Sequence, residues 1–183
     1  GVIINNWDGQ FYGYRTMHQA LIESRNIPAL KAFKAIDKSK LIPFLQSLGL
    51  HPEVENGTLH EAHAIGGYAG ESALTMAAAF AAFANNGYYT TPYSFYKVEF
   101  SDGTVYNNVP VKTKAMSEQT AYIMSSMLID TAQNALSPFQ NINGQKYGAK
   151  TGTTNFDYNK LVEYGLEWSG AINDLWVVGF NTD

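Results

Sequence analysis

Residues 150–154 read Lys150-Thr151-Gly152-Thr153-Thr154, and Tyr147-Gly148-Ala149 leads into them. This pattern predicts a strand, with a second strand at Leu175-Trp176-Val177-Val178-Gly179-Phe180. A lysine ammonium beside threonine hydroxyls makes an anion site suited to a substrate carboxylate. Gly152 lets a ligand approach the strand edge closely. A free backbone N–H on such an edge serves as an oxyanion donor. Standing alone, K-T-G is also a plain polar strand end. The second threonine and the strand that follows favour function.

Working back along the chain, Met17, Ala20, Leu21 and Ser24 fall on one helical stripe within residues 14–25, with Thr16 as cap. Ser24 is thus expected to face inward at the helix end. Asn26 lies in the break before Pro28, and Ile27 is expected to be extended because it precedes proline. An inward Ser and Asn at a helix end relay a proton and hold a substrate amide. By itself S-x-N reads better as a helix C-cap. With residues 150–154 downstream, the functional reading prevails. Further helices are expected from Pro28 to about Asp37, from a Ser39 cap through Leu48 to Gly49, from a Ser72 cap to Asn86-Gly87, and from a Ser117 cap to about Thr131. The Ser72 helix is apolar nearly all round, so a central, buried position is expected. Residues 88–100 read as a strand, turning at Ser101-Asp102-Gly103 into a hairpin.

One Ser-x-x-Lys occurs, Ser94-Phe95-Tyr96-Lys97. A lysine that deprotonates a serine needs the i, i+3 neighbourhood of a helix, about 5–6 Å at Cβ. Around Ser94 the residues read as strand, where i and i+3 point to opposite faces. Ser94 is therefore not expected to be a nucleophile.

Composition sets the bounds. The chain has 183 residues, 45% hydrophobic and 15% charged, a globular balance with room for one core. A net charge of −4 argues against nucleic acid. The absence of cysteine excludes disulfides, thiolate metal sites and Cys nucleophiles. His60-Glu61-Ala62-His63 is one residue short of a zinc helix motif, and no third ligand is evident. The glycine-rich run from Gly66 to Ser72 lacks the lysine of a phosphate loop. Lys31, Lys34, Lys38 and Lys40 read as a solvated basic face. No metal or cofactor is expected.

Together these residues resemble the transpeptidase domain of class A penicillin-binding proteins. Ser24-Arg25-Asn26 matches the S-x-N motif and Lys150 to Thr154 the K-T-G motif of that superfamily. Ile65-Gly66-Gly67-Tyr68 and the helix from Ser72 to Gly87 resemble its glycine turn and buried helix. Asp174 to Phe180 resembles the strand after K-T-G. The likeness runs from about Asn5 to Asp183. It implies an α+β fold of the β-lactamase/transpeptidase type, an antiparallel sheet with helices on both faces. It also implies a D,D-transpeptidase, an acyltransferase that cross-links peptidoglycan stem peptides through a serine acyl-enzyme and is trapped by β-lactam antibiotics. In the roles so implied, Ser24 relays a proton, Asn26 orients the substrate amide and Lys150 sets the site potential. Thr151 and Thr153 bind the terminal carboxylate beside Gly152 and Thr154, and the Thr153 N–H completes the oxyanion hole.

The family's nucleophilic serine and its lysine have no counterpart in this sequence. Residues 1–183 are therefore expected to be the C-terminal portion of one transpeptidase domain, an incomplete fragment, inactive alone and ordered beside an upstream segment. The implied location is the extracytoplasmic face of the bacterial membrane, reached through an N-terminal anchor that these residues lack. Two other readings stay open: a D,D-carboxypeptidase or β-lactamase, in which water replaces the amine, and a β-lactam sensor or peptidoglycan-binding module without turnover. The long link from Thr154 to Asp174, with Phe156, Tyr158, Leu161, Tyr164, Leu166 and Trp168, is either a lid or a surface excursion.

Overall fold

The structure, a computed structural model, describes residues 3–136, 144–156, 158–166 and 171–181. Six helices and six strands are described: α1 (Met17–Ile22), α2 (Asn26–Ala35), α3 (Leu41–Ser47), α4 (Ala73–Ala84), β1 (Tyr88–Thr90), β2 (Lys97–Glu99), β3 (Val105–Asn107), β4 (Lys112–Lys114), α5 (Glu118–Ala135), β5 (Tyr147–Asn155), α6 (Tyr158–Glu163) and β6 (Ile172–Asn181).

Helix starts follow their caps. Thr16, Ser72 and Ser117 each accept a hydrogen bond from the backbone N–H three residues on. Asp37, not Ser39, caps the short 3-10 turn before α3, accepting from the Ser39 N–H. Gly49 then ends α3 in the left-handed conformation at φ +72°, and a Cβ there would run into the Tyr89 ring. Ile27 is helical rather than extended. Its N–H donates to Asn6 Oδ1 at 3.2 Å, so a tertiary contact overrides the pre-proline preference.

The described sheets are three antiparallel pairs: β1 with β4, β2 with β3 and β5 with β6. The segment expected as one strand over 88–100 divides into β1 and β2, with Ser94 in a bend between them. Its first part pairs with residues 112–114 and its last with 105–107. Strands β5 and β6 run in register from Tyr147 opposite Asn181 to Thr154 opposite Asp174. Trp176, Val178 and Phe180 are half-buried, and the Phe83 ring of α4 lies 6.3 Å from that of Phe180. Ser125 of α5 donates to the Phe83 carbonyl at 2.9 Å, which joins α4 to α5. Leu48, Ala79, Ala82, Tyr89, Met116 and Ala121 form the main buried cluster. The α4 helix is buried along one stripe only. Leu74, Ala77, Ala81 and Ala84 on its other side are exposed, as are Leu175 and Val177 of β6.

Candidate active site

The end of α1 and the middle of β5 meet although they are distant in sequence. Lys150 Nζ donates to Ser24 Oγ at 2.7 Å across 126 residues, and to the Thr151 carbonyl at 3.0 Å. Ser24 lies beyond the helix rather than on its buried stripe, and it is exposed. Its N–H bonds the Leu21 carbonyl, and the Arg25 N–H bonds the Ala20 carbonyl. That is a Schellman ending, with Ser24 at φ +54° in the position glycine usually takes. The S-x-N segment is therefore both a helix cap and part of the site: the left-handed turn swings Ser24 out of the helical stripe and toward β5.

These residues border a groove of about 790 Å³. Ser24, Asn26, Lys150, Thr151, Gly152 and Thr153 make its polar side, while Met17, Ala20, Leu21, Ile65, Met124 and Met127 make an apolar wall. Thr154 is not on the lining. It donates instead to Asp174 Oδ2 at 3.1 Å across the strand pair. Asn26 Nδ2 donates to the Asn5 carbonyl at 2.7 Å, which commits one amide hydrogen and leaves the carbonyl oxygen for a ligand N–H. The β5 edge away from β6 carries no partner strand among the described residues, so alternate backbone N–H groups there have no ladder partner among those residues. A Cβ on Gly152 would meet only Trp176 Cβ at 3.8 Å, an ordinary contact. The protein's own packing thus does not demand glycine at 152, and the open space suits a ligand.

Burial lowers the pKa of Lys150 from the ordinary lysine value. The partners shown for its ammonium, a hydroxyl and a carbonyl, are both neutral. A half-buried cation bordering a groove in this way favours an anionic ligand, a carboxylate above all.

Ser94 and Lys97 take no part in the groove. Lys97 pairs with Glu99 two residues on. His60 pairs with Glu55, His63 stacks on Tyr68, and no group of three or more metal-ligating side chains occurs among the described residues. In the link after β5, Leu161 is buried and the Phe156 and Tyr164 rings pack edge to face, yet none of its described residues lines the groove. Trp168 lies outside the described residues. Sequence reasoning missed the segment 5–12, which packs on the Ser24 turn. Trp7 Nε1 donates to the Glu23 carbonyl at 3.2 Å, and Asp8 pairs with Arg25 at 2.7 Å. No local pattern announces these contacts, because they join residues 16 to 17 apart.

The family model of the penicillin binding protein transpeptidase domain matches residues 1–183. Penicillin-binding protein 1A/1B of Bacillus subtilis is 41% identical over 183 residues, covering 98% of this chain and 20% of that protein. Penicillin-binding protein 1A of Streptococcus oralis is 34% identical, covering 97% of this chain and 28% of that protein. The chain therefore spans 20% to 28% of the length of these relatives. Among solved structures, the D,D-transpeptidase domain of a peptidoglycan glycosyltransferase from Eggerthella lenta superposes with a TM-score of 0.71 at 22% identity, covering 98% of this chain and 48% of that one. The imipenem acyl-enzyme complex of penicillin-binding protein A from M. tuberculosis gives 0.75 at 17%, covering 98% and 43%. At these identities the superpositions establish the fold, the penicillin-binding transpeptidase fold, with mixed helices and antiparallel strands.

Proposed function

Because the chain belongs to the penicillin-binding protein transpeptidase domain family, we propose that it supplies the S-x-N and K-T-G side of a serine-type D,D-transpeptidase that cross-links peptidoglycan. The observation that carries this reading is the 2.7 Å hydrogen bond from Lys150 to Ser24 in a groove shared with Asn26, Thr151 and Thr153. A serine hydroxyl attacks the penultimate D-Ala carbonyl of a stem peptide. Its proton passes through the Ser24–Lys150 pair to the departing D-Ala amine as the peptide bond breaks. An amine of a second stem then attacks the acyl-ester, forming the new amide and returning the serine. Asn26 orients the substrate amide, Thr151 and Thr153 hold the terminal carboxylate, and a β5 edge N–H, that of Thr153, receives the oxyanion. β-Lactams occupy the same groove and trap the acyl-enzyme.

In this reading the nucleophile arrives on a helix of an upstream segment. Its apolar face covers Met17, Leu21, Met124 and Met127, and residues 1–183 alone are inactive. The domain works on the extracytoplasmic face of the bacterial membrane, its anchor supplied from outside these residues; no described helix is long and apolar enough to cross a membrane.

The test is the intact mass of the full-length protein with and without benzylpenicillin, followed by peptide mapping. One adduct on a serine outside residues 1–183 is expected. An adduct on Ser24 or Ser94 overturns the placement of the nucleophile. With a stem pentapeptide and an amine acceptor, a cross-linked product is expected. Hydrolysis alone would make the protein a carboxypeptidase, and a lasting acyl-enzyme with neither product would make it a sensor.

A further inference from the structure

Three contacts flank the left-handed turn at Ser24. Before it, Trp7 Nε1 holds the Glu23 carbonyl at 3.2 Å. After it, Asn26 Nδ2 donates to the Asn5 carbonyl at 2.7 Å, and Ile27 N–H to Asn6 Oδ1 at 3.2 Å. Between them the Arg25 guanidinium, its side chain only 10% exposed, meets Asp8 Oδ2 at 2.7 Å and Glu23 Oε2 at 3.1 Å. It also lies 4.5 Å from the Tyr12 ring centroid and 5.7 Å from that of Trp7. A planar guanidinium satisfies two carboxylates and stacks on an aromatic face at once, which an ammonium cannot do. Segment 5–12 is thereby fastened to residues 23–27 on both sides of a backbone conformation that serine rarely adopts.

We propose that the Arg25–Asp8 ion pair is a positioning clamp that holds Ser24 in its left-handed turn and so keeps its hydroxyl on Lys150. The role given to Ser24 rests on the function proposed above; the clamp itself rests on the contacts. Arg25 is a positioning residue, acting through the serine beside it. Arg25 borders the same groove as Lys150, Asp8 and Glu23 reach that groove through their ion pairs with Arg25, Arg15 pairs in turn with Glu23, and His18 Nε2 of α1 lies 2.9 Å from Asp130 Oδ2 of α5.

Asp8→Asn separates positioning from plain electrostatics. Removing a negative charge by itself destabilises a nearby ammonium and lowers its titration midpoint. Releasing the Ser24 turn opens Lys150 to water and raises it. The measurement is competitive acylation of lysine amines against pH in the full-length protein, reading the Lys150 peptide by mass spectrometry. This needs no catalytic activity. Asp8→Asn is expected to raise the Lys150 midpoint by about half a pH unit or more, and Arg25→Lys to raise it by less. Penicillin acylation should slow about tenfold to a hundredfold in Asp8→Asn, with partial recovery in Arg25→Lys relative to Arg25→Gln. A midpoint that stays or falls in folded Asp8→Asn overturns the clamp. Loss of folding in both Asp8→Asn and Arg25→Lys also overturns it, because the pair would then be a fold determinant and not a positioner. If wild-type protein never acylates but the Lys150 midpoint shifts as expected, the clamp stands and the transpeptidase reading falls.

Discussion

Ser24 occupies the left-handed position that closes α1, where glycine avoids a Cβ clash costing about 1–2 kcal/mol. Ser24→Gly should therefore stabilise the fold slightly, by about 0.5–1 kcal/mol in denaturant melts, while slowing penicillin acylation of the full-length protein about 10²–10⁴-fold. A melt that falls with activity would mean that the serine hydroxyl holds the turn. Lys150 gives a second opposition of this kind. Burial lowers its pKa in the folded state, so the folded state binds its proton less well than the unfolded chain does. Its contribution to stability is thus full above the ordinary lysine pKa and declines as pH falls through the lowered folded value. At neutral pH Lys150→Met should melt no lower than wild type, yet abolish acylation. The same lowered pKa brings loss of the ammonium closer to working pH, so the alkaline fall of acylation should begin below the ordinary lysine range. Gly152→Ala should leave stability within about 0.5 kcal/mol of wild type, because only Trp176 Cβ lies near. It should weaken acylation by crowding the ligand side of β5.

At the scale of elements, α1 and α5, which border the site, each start at a short capping signal, whereas α2 has no side-chain cap. Ser117→Ala removes the acceptor for the Thr120 N–H at the start of α5 and should cost about 1 kcal/mol, read as a lower denaturation midpoint at unchanged m-value. Phe83→Ala empties the contact of α4 with Phe180 of β6 and should cost about 3–5 kcal/mol at full burial, less here because Phe83 is only half-buried. These caps and the strand runs of β5 and β6 were legible in sequence because a cap reaches only three residues and each strand is one continuous run. The Asp37 cap and the helical Ile27 were not. Two capping residues competed within three positions in the first case, and in the second Asn6 supplied an acceptor from 21 residues away. The β1–β4 pairing was missed because Lys112-Thr113-Lys114 has no apolar alternation to mark it as a strand.

Across the whole molecule, the groove has one polar side and one apolar wall, and further apolar groups face outward at Leu74, Leu175 and Val177. A helix carrying the nucleophile would cover the apolar wall. Residues 1–183 by themselves should bind a hydrophobic dye that the full-length protein does not, and equal dye binding by both would sink that proposal. Acid should loosen the same region. Arg25 holds the Asp8 carboxyl below its usual range, and Gln19 with Arg25 and Arg15 does so for Glu23. Their stabilisation is full above the ordinary carboxylate pKa and is lost as pH falls through the lowered folded values, so the Ser24 turn should release on the acid side of that range.

The composition, the helix caps, the two strand runs of β5 and β6 and the two motifs at Ser24 and Lys150 are read from residue order, since each cap, run or motif lies within a few consecutive residues. The meeting of those motifs does not. A hydrogen bond across 126 residues exists only once α1, α5 and β5 have packed. The left-handed turn that aims Ser24 is held from segment 5–12 by an ion pair, an indole N–H, the Asn5 carbonyl and the Asn6 side chain. Such contacts are set by three-dimensional proximity, which no local periodicity encodes.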